Sequence, residues 1–466
     1  MARIGSLPSW RGAAIGLGLS AVLVGASCTD SGSPAPGSSG SVGTSGAMAS
    51  TGTISQPPIP TRIPVAPSSE RVDLAVPTFS NPTEITNPLF PVSDQASILF
   101  LGHVDGKPFR TEVTLLPYTR IVEWEGQRVE TLVSQYNAFL GGSIEEVAYD
   151  LYAQADDGSV WYFGEDVFDF RGGAIISTEG TWLAGRDGPA AMIMPADPQV
   201  GDVYRTENAP GFVFEEVTVR STDEILEGPL GPIQGGMLGD ELHADGKTEQ
   251  KIFAPGYGEF YTAGGGDVEA LALGVPTDAS SDPLPAELTA LSGGALDVYE
   301  AAGAGAWTSA AASMGDVARA WATARAGDVP RLIEPRIDAA LRALDAAVAS
   351  LDARAARDSA IEVSRLGLDL QLVYRPVTEI DLARLDLWAA QMVSDAAADD
   401  ADAVSADSFA MDYVRDRLLE ALDRQQLQRL NVELGAIQVA VIDRDLARAG
   451  AAAQRVRDEI SAYLLG

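Results

Sequence analysis

Asp150 and Glu165 are the residues whose types and spacing most directly suggest chemistry. Asp157-Gly158 lies between them, a pair that favours a tight type I′ turn between antiparallel strands. Centring the turn there sets Gln154 opposite Trp161, Tyr152 opposite Phe163 and Asp150 opposite Glu165. Directly opposed residues have Cβ atoms about 5 Å apart, and like charges at that distance repel. Such a pair splays into water, takes an arginine such as Arg171 or Arg186 between its members, or binds a cation. Two close carboxyls can also share a proton and do acid/base work. Asp150 and Glu165 are therefore candidates both as a catalytic pair and as metal ligands. Tyr152, Gln154 and Trp161, on the same hairpin, are candidate ligand contacts.

Other chemical signals are sparse. His103 and His243 are the only histidines, one in a strand-like run and one in a polar turn, with no ligand spacing. Met192 and Met194 share a strand face and read as core packing rather than soft metal ligands. No G-x-S-x-G elbow marks a nucleophile. Gly264-Gly-Gly266 has no lysine after it and reads as a loop. The single cysteine, Cys28, excludes a disulfide framework or a Cys-based metal site. No cofactor is expected.

The candidate pair must be held by strands. Runs such as Ser97–Val104, Arg110–Leu116, Ile121–Glu125, Arg128–Ser134, Glu145–Gln154, Val160–Glu165, Ala174–Thr178, Phe212–Arg220 and Lys251–Thr262 are strand-like and separated by turn signals. In Glu145–Gln154, Val147, Tyr149, Leu151 and Ala153 share one face, with Glu146, Ala148, Asp150 and Tyr152 on the other. After Pro285 the composition shifts to Ala, Leu, Asp and Arg. Ile337, Leu341, Leu344, Val348 and Leu351 recur at helical spacing, as do Leu427, Leu430, Leu434, Ile437 and Val441. Pro376 ends one helix, and Thr378 or Asp381 starts the next. The pattern predicts an α+β multidomain chain: an antiparallel β barrel, half-barrel or sandwich over 77–275, a linker at 276–284, then an all-α bundle of five to seven helices over 285–466. The bundle has neither histidine nor cysteine, which excludes the usual di-iron and haem sites. Asp395, Asp399, Asp400, Asp402 and Asp407 lack a calcium-loop pattern and read as a solvated helix connection.

The N-terminus carries an address. Arg3 and Arg11 precede an apolar run from Ala13 to Val24, then Gly25, Ala26, Ser27 and Cys28. This is the layout of a signal peptide over 1–27, too short to span a membrane. A cysteine directly after small residues resembles the bacterial lipobox, although Gly25 stands where leucine is usual. That resemblance implies cleavage before Cys28, lipidation of Cys28 and a membrane partner reached through the lipid. Residues 28–76 are rich in Ser, Gly, Thr and Pro and read as a disordered tether. A net charge of −34 repels phosphate backbones and argues against nucleic acid.

The stretch Tyr152-Ala-Gln-Ala-Asp-Asp-Gly-Ser-Val-Trp-Tyr-Phe-Gly-Glu165 resembles a β domain of uncharacterised exported bacterial proteins and lipoproteins. The likeness runs from Phe79–Phe90, through Glu179–Gly185 and Met192–Pro195, to Ala254–Glu259. It implies export and no activity. The closing Ala-Pro-Gly-x-Gly strand is also similar to the end of curved sheets that carry lipid or lipoprotein, which implies a concave apolar face. Leu370–Pro376 with Glu379–Arg384 resembles a stretch of other exported proteins and implies no chemistry.

Together these readings lead to the expectation of a cell-envelope lipoprotein, extracytoplasmic and lipid-anchored or else secreted. It would bind a hydrophobic ligand or a protein partner without catalysis. The alternative is an extracytoplasmic carboxylate hydrolase, or a divalent-cation-binding protein, using Asp150 and Glu165.

Overall fold

The computed structural model describes residues 63–209 and 213–464. Residues 1–62, with the expected signal peptide and Cys28, lie outside the described residues.

The N-terminal part is one antiparallel sheet. Its strands are β1 (Ser97–Val104), β2 (Lys107–Trp124), β3 (Gln127–Leu140), β4 (Ser143–Gln154), β5 (Val160–Arg171), β6 (Ala174–Ser177), β7 (Trp182–Leu183), β8 (Ala191–Met194), β9 (Val203–Ala209), β10 (Val213–Glu227), β11 (Pro232–His243), β12 (Thr248–Ala254), β13 (Gly258–Gly264) and β14 (Asp267–Val275). Along the sheet the order is β6-β5-β4-β3-β2-β1-β14-β13-β12-β11-β10-β9, with β7 and β8 also pairing β5. The sheet is not closed by strand pairing. Eight helices follow: α1 (Ala286–Gly303), α2 (Trp307–Ala324), α3 (Glu334–Ser350), α4 (Ala353–Gln371), α5 (Val377–Ala397), α6 (Ala401–Arg417), α7 (Arg424–Ile442) and α8 (Leu446–Leu464). The expected order of a β part before an all-α part is therefore seen.

Alternation along the strands gives the sheet two faces, and both are buried. On one face, Leu99 and Leu101 of β1 and Leu273 of β14 join the core of α1–α4. Phe139, Val147 and Phe170 of β3, β4 and β5 join the core of α5–α8, with Phe139 stacked on Trp388 at 5.2 Å. An ion network sits between these two apolar contacts. The Arg110 guanidinium donates to both Asp369 oxygens at 2.6 and 2.8 Å and also to Glu112. Arg417 donates to Glu112 at 2.7 Å and to Gln135, and Arg384 to Asp369 and Asp381. Burial alone would raise Glu112, but Arg384, Arg110 and Arg417 hold it well below the carboxylate range. The network fixes the register of the helices on the sheet, since each arginine has a specific fork of acceptors.

The opposite face curls on itself to enclose a lumen. Tyr152, Tyr204, Val217 and Phe253, from distant strands, share one core. Phe109, Tyr136, Ala148 and Val167 make a second cluster.

Several local expectations change. The hairpin carries Gln154 opposite Val160, Ala153 opposite Trp161 and Tyr152 opposite Tyr162, one residue off the expected pairing. The turn is longer than the expected two-residue type I′: Ala155 N–H donates to Ser159 O, and Gly158 N–H to Ala155 O. A bulge between Asp150 and Tyr152 then restores the expected pair, Asp150 opposite Glu165. Gly164 makes that bulge possible. Its φ is 122°, and a Cβ there would lie 2.2 Å from the Trp182 carbonyl oxygen. Arg110–Leu116 and Ile121–Glu125 are parts of one long strand, while Lys251–Thr262 is split by a turn at 255–257. Among the described residues the bundle has eight helices rather than five to seven, and Leu351, the last residue of the expected stripe, takes a left-handed φ of 59° that ends α3 before it. Pro376 caps the start of α5, and α4 has already ended at Gln371. Residues 63–76, expected as tether, lie along the sheet instead: Val72 N–H donates to Val203 O, and Arg205 N–H to Asp73. Asp73 is held in turn by Arg71 at 2.7 Å. Polar composition masked this docking because hydrogen bonds from backbone and side chain, rather than apolar burial, hold the segment.

Candidate functional site: a carboxyl belt across the lumen

Asp150 and Glu165 come together in the lumen, and neither Arg171 nor Arg186 lies between them. Arg186 pairs with Asp187 instead. The Tyr162 hydroxyl donates to Asp150 Oδ1 at 2.8 Å, and Tyr162 is stacked on Tyr152 with ring centroids 5.0 Å apart. The two carboxyls line a small pocket of about 50 Å³ with Tyr136, Tyr152, Tyr162, Thr206, Glu207, Glu215 and Lys251. Of the expected ligand contacts, Tyr152 lines this pocket and the others do not. Gln154 accepts from the Thr86 and Asn87 N–H groups and ties down the preceding loop. Trp161 donates to Ser159 and packs beside Trp124.

The pair extends into a belt that the sequence did not reveal. Glu165 on β5 and Glu207 on β9 line the same pocket, and each carboxyl acts on the titration of the other. Their approach bridges the part of the sheet where β5 and β9 are not paired to each other. Glu207 is the register partner of Glu215. Thr206 Oγ1 lies 3.3 Å from Glu215 Oε2 and 3.2 Å from Glu241 Oε1. His243 Nδ1 is 3.2 Å from Glu215, and Lys251 Nζ is 2.7 Å from Glu241. Glu165, Glu207, Glu215, Glu241, Glu249 and Glu269 are all buried, as is Glu146. Buried charge is costly without partners, and Lys251 and His243 are the cations within this belt.

The titration of the belt follows from that imbalance. Burial pushes Asp150 up to about 7, the Tyr162 hydrogen bond opposing. Burial, then the Asp150 charge, raises Glu165 well above its ordinary value, and burial with Glu215 and Glu165 does the same to Glu207. Burial also raises Glu241 to about 7, with Glu215 adding and Lys251 opposing. Burial would raise Glu215 too, but Lys251 and His243 bring it down to about 2. Burial would lower His243, yet its contacts with Glu215 and Glu249 raise it to about 11. Glu146 keeps both carboxyl oxygens without a hydrogen-bond partner, and burial followed by Asp169 raises it strongly. Near neutral pH, the Asp150, Glu165 and Glu207 group therefore holds protons that a cation would displace.

Sequence spacing gives His243 no ligand set, yet the fold places it beside Glu215 and Glu241. The signal was there at strand period: Glu241 with His243, and Glu249 with Lys251, each two residues apart and so on one face. His103 is exposed and contacts Gly266 O. Met192 and Met194 are core residues, as expected. Asp395 and Asp407 are buried between α5 and α6 rather than solvated, with Gln391 and Arg354 donating to Asp395 at 2.8 and 3.1 Å. Asp400 caps the start of α6. Among the described residues, no helix is long and apolar enough to cross a membrane.

No protein-family model matches the chain, and none of the curated proteins does.

Proposed function

We propose that this protein is an exported cation-binding protein, anchored to the cell envelope through a lipid on Cys28, whose lumen takes a divalent ion at Asp150, Glu165 and Glu207. The observation that carries the reading is the pocket of about 50 Å³ in which these carboxyls meet Glu215 and three tyrosines. A water needs roughly 10–15 Å³ of such space, so the pocket suits an ion with a few waters. Oxygen donors from several carboxylates suit a hard ion such as Ca²⁺. A hydrophobic cargo needs a cavity of roughly 300 Å³ or more, so the apolar-ligand expectation finds little support in this lumen.

A hydrolase reading has one supporting observation, the raised Asp150 beside a second carboxyl. The size of the pocket argues against it, because a substrate needs far more room than an ion.

The test uses Tb³⁺, a luminescent stand-in for Ca²⁺, with Tyr152 and Tyr162 as the antenna. Sensitised emission should appear and be competed by Ca²⁺. The Glu165→Gln, Glu207→Gln double variant should bind about 100-fold more weakly, as expected from losing two charge-assisted contacts of roughly 1.5 kcal/mol each. Emission that is absent, or unchanged in the double variant, refutes the reading.

A further inference from the structure

The belt has a second corner with different donors. Glu215 lies on β10, Glu241 and His243 on β11, and Glu249 on β12. One ligand atom from each of Glu215, Glu241 and His243 lies within 4.8 Å of the others. We infer that this corner is a transition-metal site, built from the His243 imidazole nitrogen and the carboxylates of Glu215 and Glu241, with Glu249 alongside. The inference rests on the reading that the lumen takes cations and names a second ion class for it.

The corner holds ligand atoms that the protein engages only through misaligned ion pairs or not at all. Glu241 Oε2, Glu249 Oε2 and His243 Nε2 are all buried without a hydrogen-bond partner. Glu241 is fully buried, at 0% exposure. Lys251 Nζ is only 2.7 Å from Glu241 Oε2, and Glu249 Oε1 only 3.1 Å from His243 Nε2, but neither contact has hydrogen-bond alignment. Buried polar atoms are ordinarily hydrogen-bonded, so Glu241 Oε2 and His243 Nε2, held by misaligned ion pairs within one ligand cluster, retain capacity to coordinate an ion.

The geometry is close to what an ion needs. Ligand atoms about 2.0–2.2 Å from a Zn²⁺ ion are roughly 3–4 Å from one another, so side-chain adjustments below about 1 Å complete the set. One nitrogen with two or three oxygens selects Zn²⁺, Co²⁺ or Cu²⁺ over Ca²⁺, which takes oxygen alone. Lys251 is the balancing charge in the metal-free corner. An arriving ion displaces its ammonium from Glu241, and Glu259, which also faces Lys251, is placed to receive it.

Only two histidines occur in the chain, which makes the test decisive. Untagged full-length protein is titrated with Co²⁺, followed by visible absorption, and with Cu²⁺, followed by electron paramagnetic resonance. The expected result is coupling of Cu²⁺ to one imidazole nitrogen. His243→Gln should abolish that coupling and weaken Co²⁺ binding by more than about tenfold, the loss seen on removing even an outer partner of a metal ligand. His103→Gln, at an exposed position on β1, should leave the coupling intact, and it assigns the nitrogen even where His243→Gln fails to fold. Absence of imidazole coupling in the unsubstituted protein, its loss in His103→Gln, or unchanged Co²⁺ binding in a folded His243→Gln overturns the inference. Tb³⁺ emission reports separately on Asp150, Glu165 and Glu207. Its absence together with retained imidazole coupling would sink the oxygen site alone, and the reverse result would sink this inference alone.

Discussion

Glu269→Gln should flatten the pH dependence of stability, because Glu269 is an acid that this fold keeps protonated. Burial, with the Glu259 charge adding, pushes Glu269 up to about 8, against opposing contacts from Thr111, Lys251 and Tyr136. In the unfolded chain it titrates near 4.3. Between about pH 5 and 8 the folded state therefore holds one proton that the unfolded state has lost, and stability falls as pH rises. A gap of about three and a half pH units corresponds to roughly 5 kcal/mol, a large part of the 5–15 kcal/mol typical of a whole fold. Asp150 and Glu241, both near 7, act in the same direction. So does His243: its folded value near 11 lies above the ordinary 6.5, so its stabilisation is complete below pH 6.5 and is lost as pH rises towards 11. Glu215 acts oppositely, since its depressed value near 2 gives stability that is present above pH 4.5 and lost as pH falls towards 2. Stability should peak near pH 5. Urea unfolding at pH 5, 6, 7 and 8, with chelator present, should show a steep decline for the unsubstituted protein. Glu269→Gln keeps the shape without the titration, and its decline should be shallower by about 1.4 kcal/mol per pH unit. A flat or rising profile for the unsubstituted protein, or an unchanged slope in the variant, refutes the reasoning.

Other substitutions probe the frame around the lumen. Arg417→Met strips Glu112, Asp381 and Gln135 of a shared donor and should cost about 3–5 kcal/mol in urea unfolding; Arg417→Lys should recover only part, because one ammonium cannot serve all three acceptors. Gly164→Ala drives a Cβ against the Trp182 carbonyl at a positive φ and should lower stability by about 3 kcal/mol or more, with loss of Tb³⁺ emission as Glu165 is displaced. Tyr162→Phe removes the donor that favours ionised Asp150. Tb³⁺ affinity at pH 7 should fall by about fivefold, equivalent to roughly 1 kcal/mol, and the difference should narrow at pH 8.5, where Asp150 is ionised in both forms.

The sequence was most informative where structure is local. Alternation in Glu145–Gln154 put Val147 and Tyr149 on one face and Ala148, Asp150 and Tyr152 on the other, and the structure packs the first pair against helices and the second group around the lumen. Helical stripes such as Ile337 to Val348 were equally legible, because a period of 3.6 leaves a regular mark. Where the backbone departs from the regular period, the reading slipped. The longer turn displaced the hairpin by one residue, and the bulge at Gly164 corrected it. Asp150 and Glu165 therefore face one another for a reason that turn chemistry alone does not supply.

The belt itself was beyond reach for a different reason. Asp150 and Glu165 meet through a hairpin of neighbouring residues, whereas Glu165 meets Glu207 only because the sheet curls until β9 approaches β5. A contact of that kind is set by the summed twist and bulges of many strands, and no short window encodes it. Local pattern did record that Glu241 and His243, and Glu249 and Lys251, share strand faces. What it lacked was the neighbour that gives those faces meaning: Glu215, the register partner of His243. Once the curl brings them together, opposed charges that looked like an isolated defect in one hairpin become part of a continuous acidic lining. Within the belt itself, Lys251 and His243 balance that lining at one corner only, so the oxygen-only end, at Asp150, Glu165 and Glu207, depends on protons or on an incoming cation for its neutrality.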